Sequence, residues 1–309
     1  MDKKIKIIGI PMDFGQLHRG VDMGPAALRY SCLVSELRKL GYTVEDRGDV
    51  TVPVRDRGAQ EKIDSAPQET GENSHHSNYL DAIIKVCTEA YNVGKNVVQD
   101  GDFPLFLGGD HSIAIGTIGG VSHDNQLGII WIDAHADFNT YKTSPSGNVH
   151  GMPLAALIGD GDESLVNVGR KGRKIAPENV VLIGIRSLDK MERERLKKSN
   201  ITVYTMRDID EQGISTIINK ALMKLIHIKK IHVSLDMDAV DPVEAPGVGT
   251  PVPGGLTYRE AHLCMEIIAD SSKLASMDVV EINPILDQAN KTAKLAVKLI
   301  VSALGKSIY

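Results

Sequence analysis

The stretch LGIIWIDAHADFNT, residues 127–140, begins as a continuous apolar run and ends with Asp133, His135 and Asp137 at every second position. A short run that is apolar throughout is typical of a parallel strand covered on both faces. If the backbone stays extended beyond Asp133, two carboxylates and an imidazole point to one face and converge. Carboxylates at that distance repel each other, and removing them from water is costly. The stretch therefore predicts a buried strand whose carboxyl end surrounds a positive charge.

Other short apolar runs alternate with amphipathic segments along the chain. Strands are predicted at 5–10, 42–46, 103–109, 127–135, 180–186, 201–205, 231–238 and 277–284, and helical segments at 25–40, 79–98, 214–226, 258–268 and 290–304. This alternation predicts right-handed βαβ units and a mostly parallel sheet of about eight strands, as in an α/β fold. A closed barrel also fits that number. Periodicity cannot separate the two, and we favour an open, doubly wound sheet.

The length of 309 residues allows one large α/β domain or two ordinary ones. Because the sequence has no clear linker and no internal repeat, we expect a single domain over 1–309. The segment 55–78 is polar and rich in turn formers, so we expect a surface loop there. Its two histidines, His75 and His76, resemble a metal-binding pair, but solvent exposure is the simpler expectation.

The composition, with 42% hydrophobic and 24% charged residues, is that of an ordinary globular protein. The net charge of −5 comes with no basic stripe, which argues against a nucleic-acid partner. No stretch approaches about 18 continuous apolar residues, so we expect no membrane span, and the N-terminal run is too short for a signal peptide. Cys32, Cys87 and Cys264 have no metal-ligand spacing, so we expect buried free thiols in a cytoplasmic protein.

Acidic and imidazole side chains follow three other predicted strands. They are Asp110 and His111, then Asp236, Asp238 and Asp241, and finally Glu281. Ligands of parallel α/β sheets gather at the carboxyl ends of the strands. A single D-x-D or GGDHS has an ordinary explanation as a strand end or a turn. Their repetition at equivalent strand ends predicts one shared site.

The charges of these side chains predict two divalent cations. Four aspartates (Asp133, Asp137, Asp236, Asp238) supply four negative charges, and the two histidines His111 and His135 are neutral as ligands. Oxygen and nitrogen ligands without sulfur fit Mn²⁺, Mg²⁺, Zn²⁺ or Fe²⁺, and the ligand type does not choose among them. Two such ions lower the pKa of a shared water and so predict hydrolysis.

Several further residues are candidates for supporting roles in that chemistry. His150 follows the first metal-binding stretch and could protonate a leaving group, although a backbone-bonded loop histidine would look the same. Asp110, Asp241 and Asn283 are candidates to support the ligands or cap the turns beside them.

These stretches resemble the ureohydrolases, the arginase and agmatinase family, along nearly the whole chain. The matching motifs are GGDHSIAIG (108–116), DAHADFNT (133–140), SGNVHG (146–151), SLDMDAVDP (234–242) and GTPVPGGLTYRE (249–260). The N-terminal GIPMDFGQLHRGVDMGPAALR and the late VEINPILD make the match closest to bacterial arginases. Such a resemblance implies an open α/β fold with an eight-stranded parallel sheet and a homo-oligomer, a trimer or hexamer.

The resemblance also implies hydrolysis of a guanidino group to urea by a hydroxide that bridges two manganese ions. By motif match, one ion would take His111, Asp133, Asp137 and Asp236, and the other Asp133, His135, Asp236 and Asp238. Glu281 would pair with the guanidinium group, and His150 would be the proton shuttle.

The substrate that the resemblance implies is L-arginine, with L-ornithine and urea as products. Asn139 and Ser146, with Ser144 and Asn148 nearby, match the positions where arginases hold the α-carboxylate. Asp189 matches a residue near the α-amino group, Glu192 would support it, and Thr250 would shape the site. Ser187 departs from the Asp of animal-type arginases and resembles the bacterial version, so the contacts to the α-amino group would differ from those of animal-type arginases. Two alternatives are an agmatinase or other ureohydrolase, and a metal-dependent binding protein that has lost catalysis.

Overall fold

Eight strands form one all-parallel sheet in the computed structural model, which describes residues 4–55 and 79–306. The strands are β1 Ile5–Ile10, β2 Val44–Asp49, β3 Phe103–Gly108, β4 Leu127–Ile132, β5 Val180–Ile185, β6 Thr202–Thr205, β7 Lys230–Asp236 and β8 Leu274–Val280. Their spatial order is β2-β1-β3-β8-β7-β4-β5-β6. The prediction of an open parallel sheet is confirmed. The closed barrel is excluded because β2 and β6 form the two free edges of the sheet.

Helices cover both faces of the sheet. They are α1 Gly24–Tyr30, α2 Leu33–Lys39, α3 Leu80–Gln99, α4 Ala114–Val121, α5 Pro153–Leu157, α6 Glu163–Val166, α7 Lys190–Lys198, α8 Met206–Gln212, α9 Ile214–Lys224, α10 Tyr258–Asp270 and α11 Lys291–Ala303. None of the described helices is both long and apolar enough to cross a membrane.

Burial explains why the inner strands are apolar throughout rather than alternating. Every residue of β1, β3, β4 and β5 is buried, and the core divides into two apolar clusters, one on each face of the sheet. Helix starts are also encoded locally: Thr257 and Glu260 form a capping box that begins α10. Such a cap stabilises a helix by about 1 kcal/mol.

The sheet order brings the predicted site residues onto neighbouring strands. The predicted residues lie at the carboxyl ends of four strands that are adjacent at the centre of the sheet: His111 after β3, Asp133 and Asp137 after β4, Asp236 as the last residue of β7, and Glu281 after β8. Because all strands are parallel, their carboxyl ends meet at one edge.

Two predictions are wrong near Cys32, and one segment lies outside the described residues. The helix predicted over 25–40 is two helices, because Cys32 adopts a left-handed backbone with φ 65° between α1 and α2. This junction leaves Cys32 exposed rather than buried, whereas Cys87 and Cys264 are buried as predicted. The loop predicted at 55–78, with His75 and His76, falls outside the described residues except for Arg55, and the single domain over 1–309 stays a prediction.

Candidate metal centre and active site

The predicted ligands converge, but not for the reason that the spacing of two suggested. Strand β4 ends at Ile132, Asp137 has a left-handed backbone with φ 50°, and Asp238 lies in a 3₁₀ turn over Met237–Ala239. The carboxylates of Asp133 and Asp236 accept the backbone N–H two residues further on, at 2.7 and 2.8 Å. Those local bonds bend the chain away from the strand, so the expectation of an extended backbone is wrong.

Six side chains form two groups that share Asp133. Ligand atoms of His111, Asp133 and Asp236 lie within 4.8 Å of one another, and so do those of Asp133, His135 and Asp238. His111 Nδ1 lies 3.0 Å from the nearest carboxylate oxygen of Asp137, which adds it to the first group. The described residues thus assemble all six predicted ligands, and their coordination of metal remains a proposal.

The donor set fits a cation. His111 Nδ1 is fully buried and has no hydrogen-bond partner among the described residues, although carboxylate oxygens of Asp133, Asp137 and Asp236 lie 3.0–3.2 Å away. A buried ring nitrogen surrounded by carboxylate oxygens needs either a proton or a cation between them. Three carboxylate oxygens around its lone pair leave a place that suits a divalent ion.

The electrostatics of the cluster point the same way. Burial raises the pKa of Asp137 to about 6, with the Asp133 carboxylate adding to the shift. Burial together with Asp238 and Asp133 raises the pKa of Asp236 well above its ordinary value. Burial alone would lower the pKa of His135, but Asp238 and Asp133 raise it to about 12. Without bound cations, the cluster therefore retains protons on these side chains. Metal binding would release those protons.

A buried hydrogen-bond network orients His111. Its Nε2 lies 2.8 Å from Ser234 Oγ, and Ser234 donates to Asp278 at 2.6 Å. Asp278 also accepts from Thr117 and contacts His232 Nε2 at 3.1 Å. Sequence reasoning missed this network. Its signal was present, because His232 and Ser234 alternate with apolar residues in β7, on the same face as Asp236.

Two neighbours fix the carboxylates themselves. Trp131 Nε1 donates to Asp133 Oδ2 at 2.9 Å, and its ring stacks on His111 with centroids 4.1 Å apart. Thr250, predicted to shape the site, donates to Asp238 Oδ2 at 2.9 Å. The role of Trp131 was not expected, because a tryptophan at the end of an apolar run predicts only a buried core residue.

Glu281 and His150 form a pair beside the metal ligands. Glu281 is 1% exposed, and its Oε1 lies 3.2 Å from His150 Nδ1 and accepts the backbone N–H of His111 at 2.9 Å. Its Oε2 accepts from Gln16 Nε2 at 2.7 Å. Burial alone would lower the pKa of His150, but Glu281 raises it to about 9. Gln16 lies in the N-terminal motif that resembles bacterial arginases, and its contact with Glu281 was not expected.

A cavity of about 240 Å³ opens beside the cluster. The predicted substrate-binding residues line it: Asn139, Ser144, Ser146, Asn148, Ser187, Asp189, Glu192 and Thr250, with His150 and four of the predicted ligands. Asn139 Nδ2 donates to Asp189 Oδ2 at 3.1 Å, and Glu192 accepts the backbone N–H of Phe138 at 2.8 Å. Burial raises the pKa of Glu192 to about 7.

The three remaining candidates, Asp110, Asp241 and Asn283, form hydrogen bonds with backbone groups. Asp110 caps the 3₁₀ turn His111–Ile113 through Ser112 N and also accepts from Gly15 N at 2.8 Å. Asp241 accepts from the backbone of residues 243, 254 and 255 and so shapes the loop after β7. Asn283 donates to the carbonyl of Arg19 at 3.0 Å.

A model of the arginase family matches residues 3–305. The chain belongs to the arginase family. Over their full lengths, it is 50% identical to the arginase of Bacillus subtilis strain 168. The solved arginase of Bacillus caldovelox superposes with a TM-score of 0.92 at 46% identity, over 99% of this chain and 100% of the other. An Entamoeba histolytica arginase in complex with L-ornithine gives a TM-score of 0.86 at 31% identity, over 98% and 99%.

Membership of the arginase family confirms the resemblance drawn from the motifs and agrees with the shared eight-stranded parallel sheet. It makes this arginase-family protein a hydrolase of linear amidines.

Proposed function

We propose that this arginase-family protein hydrolyses L-arginine to L-ornithine and urea at a binuclear manganese centre. The observation that carries the proposal is the pair of carboxylate–histidine groups joined by Asp133, beside a cavity with polar and acidic walls. Relatives named arginase along the whole chain support it, as does the E. histolytica arginase solved with L-ornithine. We also keep the cytoplasmic location and the trimeric or hexameric assembly as proposals.

The six ligands would hold the two ions, with Asp133 and Asp236 shared. One ion would take His111, Asp133, Asp137 and Asp236, and the other Asp133, His135, Asp236 and Asp238. When bound, the ions supply a hydroxide nucleophile near neutral pH and stabilise negative charge. Manganese is proposed because the family resemblance implies it; the oxygen and nitrogen donors alone accept other divalent ions.

The other residues bind the substrate and move a proton. The guanidinium group stays protonated and offers a planar fork of N–H donors, which a carboxylate such as Glu281 matches. His150 holds one proton at Nδ1 toward Glu281 and would give the proton at Nε2 to the amine that departs.

Other residues that line the cavity would recognise the amino acid end of the substrate. Asn139, Ser144, Ser146 and Asn148 supply neutral polar groups for the α-carboxylate, and Asp189 and Glu192 supply acidic groups near the α-amino group. Agmatine lacks the α-carboxylate, so those neutral groups would gain nothing from it.

The test is urea release by purified protein, with and without added Mn²⁺, from L-arginine and from agmatine. We expect Mn²⁺-dependent urea from L-arginine. Cleavage of agmatine but not of L-arginine would refute the roles of Asn139 and Ser146 and make the protein an agmatinase. No urea from either compound, or from other guanidino compounds, with metal bound would point to a binding protein.

A further inference from the structure

The N-terminal loop that follows β1 is hydrogen-bonded to residues of the candidate active site. Gly15 donates its backbone N–H to Asp110 at 2.8 Å, and its carbonyl accepts the backbone N–H of His150 at 3.0 Å. The carbonyl of Gln16 accepts from Arg55 Nη1 at 3.1 Å. Gln16 itself is 2% exposed, so its side chain is held within the protein beside the two residues assigned to the reaction.

The side-chain amide of Gln16 has a defined orientation. Its Nε2 donates to Glu281 Oε2 at 2.7 Å, in a bond that is buried. The reverse orientation would place a carbonyl oxygen against a carboxylate, and both groups are acceptors only. Gln16 Oε1 therefore points away from Glu281.

That oxygen is a buried acceptor with no hydrogen-bond partner among the described residues. A buried polar atom in this state costs free energy unless a ligand supplies the missing donor. Gly249 packs close to this oxygen. A Cβ atom on Gly249 would lie 2.9 Å from Gln16 Oε1 and 3.6 Å from Glu281 Oε2, so a side chain at residue 249 would crowd the amide oxygen and contact the carboxylate.

We infer that Gln16 positions the substrate's guanidinium group, holding Glu281 through Nε2 and accepting a guanidinium N–H at Oε1. This inference rests on the proposed function. A guanidinium group has five donors in one plane, more than a single carboxylate can accept, and an amide oxygen beside that carboxylate can take another. An alkylammonium group such as that of L-ornithine lacks the planar fork, so Gln16 would favour the substrate over the product.

The experiment compares Gln16→Met, which keeps the side-chain length but removes both polar atoms, with Gly249→Ala, which places a methyl group 2.9 Å from Gln16 Oε1. Leu17→Ala is the matched control, because Leu17 is the next residue of the same loop and is exposed. Each protein, loaded with Mn²⁺, is assayed for kcat and KM of urea release from L-arginine, for inhibition by L-ornithine and for bound manganese.

We expect Gln16→Met and Gly249→Ala each to lower kcat/KM for L-arginine by about 10- to 100-fold, the size of a lost hydrogen bond to a charged group. L-ornithine inhibition and manganese content should stay within about twofold of the unaltered protein, and Leu17→Ala should match it throughout. A general distortion of the loop would weaken L-ornithine in parallel, and that result would overturn the inference.

Other outcomes separate the inference from the function on which it rests. Unchanged kcat/KM in Gln16→Met, with active unaltered protein, overturns the role of Gln16 and leaves the proposed function standing. If Gln16→Met does not fold, Gly249→Ala decides alone, and unchanged kcat/KM in it overturns the role. If the unaltered Mn²⁺-loaded protein releases no urea from L-arginine, both proposals fail.

Discussion

Replacing Trp131 with phenylalanine tests how the protein controls the shared ligand Asp133. The indole Nε1 is the donor to Asp133 Oδ2 at 2.9 Å, and both side chains are fully buried. Trp131→Phe keeps an aromatic ring next to His111 but removes that donor. A hydrogen bond to a charged group contributes about 1.5–3 kcal/mol, which corresponds to roughly 10- to 100-fold in an equilibrium constant. Loss of a residue that supports a metal ligand has an effect of the same size.

We therefore expect Trp131→Phe to weaken Mn²⁺ binding by about 10- to 100-fold. The smaller phenylalanine ring also lowers the free energy of unfolding, but by less than the roughly 3–5 kcal/mol expected for truncation to alanine. The assay is competition for Mn²⁺ against a chelator of known affinity, with thermal unfolding measured on the metal-free protein. Phe106→Leu is the control, because Phe106 is fully buried in the same apolar cluster as Trp131 and has no polar side-chain atom that could donate to a metal ligand. It should lower Tm and leave the affinity for Mn²⁺ unchanged. If Trp131→Phe binds Mn²⁺ as tightly as the unaltered protein while Tm falls as in the control, the indole acts only through packing and the reasoning is refuted.

Three further predictions concern the shared metal ligands, the proton donor His150 and the pH dependence of stability in the metal-free protein. Asp133→Ala or Asp236→Ala should remove bound metal and nearly all activity, because both carboxylates are proposed to be shared; unchanged metal content by elemental analysis would contradict this. His150→Asn should lower kcat by about 10²- to 10⁴-fold, the usual contribution of a proton-transfer group, while both metals stay bound, and a parallel loss of metal would count against the assignment. Removing metal with EDTA should destabilise the protein more as pH rises. The raised pKa of Asp137 means that, in the metal-free protein, its contribution is fully present below its ordinary pKa of 3.8 and lost as pH rises through about 6. Bound cations offset that loss, so the gap in unfolding free energy between Mn²⁺-loaded and EDTA-treated protein should widen between pH 4 and 7, by at most about 3 kcal/mol from this group. A gap that narrows over that range would refute the sign.

The fold could be predicted from the sequence because its signals are local. All eight strands were predicted, since an apolar run such as 127–132 is buried on both faces wherever it pairs in a parallel sheet. The division of the helix predicted over 25–40 could not be seen, because the left-handed backbone at Cys32 belongs to the packing of α1 and α2 and has no glycine or proline to mark it.

The same distinction between local signals and tertiary contacts applies to the candidate active site. The sequence by itself determined which chemistry was available: carboxylates and imidazoles without thiols, placed at the ends of apolar runs, predict a cation site wherever those ends meet. Only the tertiary structure decided how they meet, through the central strand order β3-β8-β7-β4. Strand order and the contact between Gln16 and Glu281, which lie 265 residues apart, depend on pairings between distant segments. A sequence pattern reads neighbours along the chain, so it cannot rank such pairings, whereas folding selects the one that buries all the apolar faces together.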